Sequence, residues 1–398
     1  MLFKRKYYLQ KIAPFIGKDL IKVITGQRRT GKSYFLRQIA EDLKETTPEK
    51  LQIYIDKERL EFDFIKTYED LAKYVENLAK NQSAILFIDE VQEIKHFEKA
   101  LRHLLNIGKW DIYISGSNAD MLSGELATLL SGRYIAMEIF PLSYPEFLEF
   151  HNREDNPESF QKYLRYGGMP YLYNLALEDE PVFEYLRNVT NTILFKDVVA
   201  KYNVRDIEFL ENLTRYIADN IGSLISAKRI SDYLKSQRLK HNHNTVMEYL
   251  NHLANAFLIH RVKRYDIQGK RLLEIGEKDY FTDIGIRHSI GGYKQADIAK
   301  LFENVVYNFL KQHGMNVYVG KIRNKEVDFI AQTGDKFFYL QVTLSLASET
   351  VKERELGNLN AIKDNYPKIV VTGDEYVTGI QEGIEIWNIR KFLTAFNF

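Results

Sequence analysis

The 398-residue chain contains no cysteine. That absence removes disulfides, thiolate nucleophiles and cysteine-ligated zinc or iron, and it fits a reducing compartment. Proline is scarce: there are eight, and five of them (Pro141, Pro145, Pro157, Pro170 and Pro181) fall in one stretch with Gly167 and Gly168. Proline lacks a backbone donor and interrupts regular elements, so the cluster marks a connecting region. No stretch approaches the ~18 consecutive apolar residues of a membrane span, and the first residues lack the apolar core of a signal peptide. The expectation is a cytoplasmic protein with no membrane partner. Neither sign of charge dominates, since 55 Lys and Arg against 54 Asp and Glu leave a formal net charge of +1. Whole-chain charge therefore selects no partner, and local charge must be read instead.

What is present is the composition of a folded protein with sizeable cores, 45% hydrophobic and 27% charged. At roughly 150 residues per domain, the length predicts two to three domains. Before the prolines, continuous apolar runs (Ile21 to Thr25, Leu51 to Ile55, Ala84 to Ile88, Ile112 to Ile114) alternate with helical patterns such as Tyr34 to Leu43 and Tyr68 to Ala79. That alternation predicts a parallel sheet covered on both faces.

Between the first strand and the first of these helices lies GQRRTGKSY, Gly26 to Tyr34, in which Gly26, Gly31, Lys32 and Ser33 satisfy GxxxxGKS. The glycines let successive backbone N–H groups converge on phosphates, the helix directs its positive end at them, and Lys32 adds a point charge. The expected nucleotide-binding residues are Gly26, Gln27, Arg28, Arg29, Thr30, Gly31, Lys32, Ser33 and Tyr34. Arg28 and Arg29 are suited either to the nucleotide or to a neighbouring domain. A later apolar strand ends in Asp89 and Glu90. In such a sheet, Asp89 and Ser33 would hold Mg²⁺ and Glu90 would polarise the attacking water. The strand Asp111 to Ile114 runs into Ser115 to Asn118, where Asn118 is the preferred γ-phosphate sensor and Ser117 the next. Arg133 has two readings, an arginine finger or a surface arginine after a turn.

The segments GQRRTGKS, IDEVQ, SGSNADML, LSGRY followed by PLSYPEF, and YGGMP together resemble the predicted AAA-type ATPases of bacteria and archaea. YFTDIGIRHSI and EVDFI match the C-terminal region of that family, so the resemblance covers nearly the whole chain. It implies an ATP-binding and ATP-hydrolysing core that uses ATP and Mg²⁺.

From Lys228 to Arg271 there are ten Lys or Arg against three acids, a local excess of seven positive charges. The pattern is helix, turn, helix, hairpin, with Ser226 placed to cap Ala227 to Ser236, the order of a winged helix-turn-helix. One reading is a DNA-phosphate surface including Lys228, Arg229, Arg261, Lys263 and Arg264. Against base-specific reading, the outward positions Asn244, Thr245, Glu248, Asn251 and His252 carry no Lys or Arg. Otherwise the winged helix is a packing or regulatory domain with a solvated basic side, and the second functional reading is a nucleotide-gated signalling or scaffold switch that binds protein rather than DNA. His241 and His243 fit a solvated loop better than a metal site.

From Ile298 the order helix, three strands, helix, strand is that of the PD-(D/E)xK nuclease fold. Glu303 and Asp328 fall where such nucleases place acids, but Gln341 and Thr343 replace the ExK pair. The second metal carboxylate and the catalytic lysine are thus absent from that strand, with Lys352 on the next helix as a candidate displaced lysine. The expectation is an α/β chain in four parts: an AAA-type P-loop domain (1–150), a helical connection (151–204), a winged helix-turn-helix (205–285) and a degenerate nuclease-like domain (286–398). The nuclease activity is doubtful, and a homo-oligomer or a protein partner is compatible with this layout.

Overall fold

The computed structural model describes residues 3–122, 130, 132–236 and 243–397. Arg238, Lys240 and His241 of the basic stretch lie outside the described residues. The chain divides into two compact units, the first running to Ile139 and including Asn255–Phe257, the second comprising 140–254 and the residues from Leu258 onward. No helix among the described residues is long and apolar enough to cross a membrane.

The first unit is built on five parallel strands: β1 (Ile21–Thr25), β2 (Leu51–Asp56), β3 (Ala84–Asp89), β4 (Trp110–Ser115) and β5 (Tyr134–Glu138). Their order is β2-β3-β4-β1-β5, and every neighbouring pair is parallel. β1 and β3 are buried at every position, as strands covered on both faces must be. On one face Ile21, Val23, Leu86, Ile88, Ile112 and Ile114 pack with Leu71, Val75, Leu101 and Leu104 from two helices. On the other, Ile24, Ile85, Phe87 and Tyr113 pack with Phe35, Leu36, Ile39 and Leu43 of the helix Lys32–Thr46. β5 carries no strand signal in the sequence, because its side chains are mostly half-buried or exposed and show no continuous apolar run.

The second unit opens with helices Tyr144–Phe150, Pro157–Tyr166 and Asp179–Thr192. Pro145, Pro157 and Pro181 stand in their first turns, where the missing N–H costs no helical bond. A π-helical stretch, Ile193–Ala200, continues the third helix. Helix Ile207–Asp219, the short β6 (Leu224–Ile225), helices Ala227–Ser236 and His243–Asn255, and the antiparallel pair β7 (Ile259–Asp266) and β8 (Arg271–Phe281) follow. The Ser226 hydroxyl accepts from the Arg229 N–H at 3.2 Å, giving the expected cap. The C-terminal strands are β9 (Asn316–Ile322), β10 (Lys325–Thr333), β11 (Lys336–Thr343), β12 (Lys368–Thr372), β13 (Gly379–Gln381) and β14 (Ile384–Asn388). They share one nine-stranded sheet with the hairpin, in the order β13-β14-β12-β11-β10-β9-β7-β8-β6, joined by parallel pairing of β7 with β9.

Candidate functional site

The loop after β1 leaves the carboxyl end of the sheet, where open parallel sheets present ligand sites. Gly26 has φ 138°, and a Cβ there would stand 2.3 Å from the Ile139 carbonyl oxygen, so no larger residue fits. Gly31, at φ 98°, precedes the helix Lys32–Thr46, whose first N–H groups point out of the loop. The Thr30 hydroxyl donates to the Gln27 carbonyl at 2.9 Å. Arg5 donates from Nη1 to the Thr30 carbonyl at 3.3 Å and so braces the loop from behind. Lys32 is buried and its Nζ donates to the carbonyls of Gly26 and Gln27, each at 3.0 Å. Gln27 is also buried, and neither atom of its amide has a hydrogen-bond partner among the described residues. Arg28 is buried with Nη1 3.6 Å from Glu58 Oε1, whereas Arg29, at φ 69°, is exposed. Tyr34 is exposed on the first helical turn, with the Arg37 guanidinium 5.8 Å from its ring centre.

β4 lies between β1 and β3 and inserts Ser115 between the loop and the acidic pair. Asp89, buried at the end of β3, accepts from the hydroxyls of Ser115 and Ser33. Burial raises its carboxyl above the ordinary range, and the two hydroxyls only partly oppose that. Glu90 follows at φ 55°, a left-handed conformation that is strained for a residue with a side chain. Its N–H donates to Ser115 Oγ at 3.2 Å. Its carboxylate accepts from the Gln92 amide and from Ser117 Oγ, the latter at 3.2 Å. Burial would push Glu90 upward, but Lys32, Gln92, Arg28 and Ser117 outweigh it and hold the carboxyl below its ordinary value. The two neighbouring acids are thus driven apart, which favours the anion on Glu90.

Asn118 is buried, and its Oδ1 accepts from the Asp120 N–H at 2.8 Å. Arg133 is not brought to this cluster. Its carbonyl accepts from the Ile21 N–H at the start of β1, and its exposed side chain donates to Asn106 Oδ1 at 2.6 Å. The length of β1, about 15 Å at ~3.3 Å per residue, separates that point from the loop. Ser115, Gln92 and Arg5 were not singled out in the sequence. Ser115 had a signal, as the polar end of a buried strand; Gln92 and Arg5 had none.

In the second unit, Lys228, Arg229 and Lys263 are exposed and Arg264 is half-buried. Arg261 corrects the expected DNA surface. Its guanidinium is paired with Glu277, lies 3.7 Å from Asp279 and donates to Asn251 Oδ1 at 2.8 Å. Those acids, on β8 beyond the basic stretch, balance the charge of Arg261 inside the fold, although its Nε has no hydrogen-bond partner among the described residues. Glu303, Asp328, Gln341 and Thr343 line one cavity of about 590 Å³. Lys352 is not among its lining residues; Arg354, which is, pairs with Glu355, and Lys278 of β8 pairs with Glu303 and Glu326.

Residues 18–148 match the model of the AAA domain, and residues 157–297 match that of a domain of unknown function, DUF8612. An uncharacterized protein of Haemophilus influenzae is 37% identical over 400 residues, covering 98% of both chains. The uncharacterized protein MJ1544 of Methanocaldococcus jannaschii is 30% identical, over 89% of this chain and 83% of its own. Among solved structures, the Walker-type ATPase PABY2304 of Pyrococcus abyssi superimposes with a TM-score of 0.51 at 15% identity, over 73% of this chain and 96% of that one. The first unit is an AAA-type P-loop domain, and the chain belongs to the family of AAA-domain proteins that includes these Haemophilus and Methanocaldococcus relatives.

Proposed function

We propose that the chain hydrolyses ATP at the loop of β1, with Mg²⁺ held by Ser33 and Asp89. The observation that carries this reading is the meeting of Ser33 with Asp89 and of Lys32 with Glu90, with Ser115 bonded to both acids. The loop N–H groups from Gln27 to Ser33 and the helix start would bind the phosphates, and Tyr34 would flank the nucleotide. The Ser33 hydroxyl and the Asp89 carboxylate, already hydrogen-bonded, form an oxygen pair suited to a hard divalent cation. Bound there, Mg²⁺ supplies charge neutralisation to the phosphates. Lys32, held on the carbonyls of Gly26 and Gln27, would exchange those bonds for phosphate oxygens. Glu90, kept anionic beside Lys32, would take the proton of the attacking water, and Asn118 would sense the terminal phosphate.

In the second unit the order of helix Ile207–Asp219, β6, two helices and the hairpin, with β6 on β8, supports a winged helix-turn-helix. The exposed Lys228, Arg229 and Lys263 favour DNA association through phosphates. The internal pairing of Arg261 and the absence of Lys or Arg on the outer side of helix His243–Asn255 favour the second reading, a nucleotide-gated switch that binds protein. Glu90→Gln tests the site: it should retain ATP affinity and lose turnover by about 10²-fold or more. Undiminished turnover would sink the assignment. ATPase rate with and without duplex DNA separates the two readings, since stimulation supports the first.

A further inference from the structure

The cavity of the C-terminal sheet is lined by Glu303, Glu326, Asp328 and Glu355, but it is not an array of free acids. Lys278 of β8 does not itself line the cavity but meets three of these acids from behind its wall. Its side chain is 3% exposed, with Nζ 2.8 Å from Glu326 Oε1, 3.2 Å from Glu303 Oε2 and 3.9 Å from Asp328 Oδ1. Tyr280, two residues on and on the same face, donates its hydroxyl to Glu303 Oε2 at 3.1 Å. Asp328 is fixed across the sheet: its N–H donates to Gln341 Oε1 at 2.7 Å, and its Oδ2 accepts from the Val342 N–H at 2.8 Å. The Gln341 amide is engaged by Glu355, which Arg354 also pairs.

A nuclease-like sheet implies a divalent cation at these acids, and the residues present do not fit one. Glu326 and Glu303 are held by the ammonium at hydrogen-bond distance and Asp328 lies 3.9 Å from it, so a cation already stands among these carboxylates. As they stand, spread around the ammonium, these acids make no metal-holding group, and among the described residues no other three His, Cys, Asp or Glu do. Gln341 brings no charge where a second carboxylate would be needed. A buried ammonium beside three carboxylates is also the cation least easily displaced, because its removal leaves uncompensated buried charge.

We propose that Lys278 is a built-in cation standing in the place of a divalent metal, so that this acidic pocket binds no metal as the chain exists and opens to one when the ammonium is removed. The inference rests on the positions of Lys278 and its three carboxylates and, for the metal that the ammonium replaces, on the nuclease-like reading of the sheet; metal binding is read separately from DNA cleavage.

The test is Mn²⁺ titration of the nucleotide-free full chain by electron paramagnetic resonance, comparing wild type, Lys278→Met and Lys278→Met/Asp328→Asn. Wild type should take up no Mn²⁺ that depends on Asp328, whereas Lys278→Met should take up one equivalent and the double variant should lose it. Wild-type Mn²⁺ that disappears in Asp328→Asn alone overturns the proposal, as does a folded Lys278→Met that takes up none. Should Lys278→Met not fold in EDTA, recovery of its circular dichroism on adding Mn²⁺ supports the proposal, and no recovery overturns it. Mg²⁺-dependent DNA cleavage by the wild type bears on the nuclease reading and is scored apart.

Discussion

The backbone N–H of Gly168 donates to Asp283 Oδ2 at 2.8 Å, across 115 residues of chain. The bond joins the two most distinctive motifs outside the phosphate loop, YGGMP and YFTDIGIRHSI. Asp283 also caps the helix Ile284–Gly291 by accepting from the Ile286 N–H at 2.8 Å. The backbones meet so closely that a Cβ on Gly168 would lie 2.2 Å from the Leu142 oxygen, and one on Gly285 2.0 Å from the Tyr166 oxygen. Arg287 and His288, which follow the cap, are equally internal: Arg287 Nε donates to the Ala218 carbonyl at 2.8 Å, and His288 Nε2 lies 3.0 Å from the Leu164 carbonyl oxygen. These motifs therefore build a packed junction of the second unit and need no ligand to account for them.

Gly168→Ala should destabilise the chain by on the order of 3 kcal/mol, because the methyl meets backbone that has no rotamer by which to yield. Urea unfolding followed by circular dichroism measures it. A loss under about 0.5 kcal/mol, the scale of an ordinary surface change, would show that the contact relaxes freely.

Asp283 also predicts a pH dependence. Burial pushes its carboxyl up to about 6, although the N–H groups of Gly168, Ile286 and Gly285 oppose the shift. In the unfolded chain an aspartate titrates near ~3.9. Between about pH 4 and pH 6 the folded chain thus keeps a proton that the unfolded chain has released. The stability from this group is complete below about pH 4 and is lost as pH rises through 6, by about 3 kcal/mol in total. The stability of the wild type relative to Asp283→Asn should fall by that amount between pH 4 and pH 7 in parallel urea titrations. A difference independent of pH would remove Asp283 as its source.

The parts legible in the sequence were those in which one physical requirement fixes the residue type. The glycine loop, the buried strands β1 and β3 and the acids that end β3 are of this kind. The helix Ala227–Ser236 with its Ser226 cap was legible for the same reason. What escaped was set by partners distant in the chain. Arg261 reads as a basic surface residue until Glu277 and Asp279 fold against it. Lys278 gives no sign of facing Glu303, Glu326 and Asp328, because the strand pairing that places it is not written in its neighbours. β5 escaped because only a minority of its side chains are buried.

Lys32→Ala should abolish detectable ATP binding while leaving the fold intact. The substitution removes a cation that, in the nucleotide-free chain, donates to the Gly26 and Gln27 carbonyls rather than packing in the apolar core. It also removes Coulomb support for Glu90, so the Glu90 carboxyl should move upward toward its ordinary value. Fluorescent-nucleotide titration and thermal melting check the first two statements; retained affinity would refute the phosphate role.

Arg133→Ala should leave ATP affinity and the turnover of the dilute chain unchanged, because Arg133 sits at the start of β1 and is tied to Asn106. Turnover measured over a wide range of protein concentration decides between its two readings. A loss that appears only at high concentration assigns Arg133 to the nucleotide of a neighbouring copy. A loss at every concentration contradicts its placement at the far end of the strand.

Lys263 and Arg261, two residues apart on β7, should respond oppositely to removal. Lys263 is exposed, so if the basic stretch contacts DNA phosphates, Lys263→Ala should lower the slope of log affinity against log salt by about 1 and leave stability within about 0.5 kcal/mol. Arg261 is enclosed by Glu277, Asp279 and Asn251, so Arg261→Ala leaves two acids facing each other in a buried place. Its effect should fall on stability, a loss of about 3 kcal/mol. Asp279 is already raised to about 7 by burial in the presence of Arg261, so losing the arginine should drive it further toward the neutral acid, and the destabilisation should be larger above pH 7 than at pH 5. Salt titrations of DNA binding and urea unfolding at the two pH values separate the effects. A reduced salt slope with unchanged stability in Arg261→Ala would return that residue to the DNA surface.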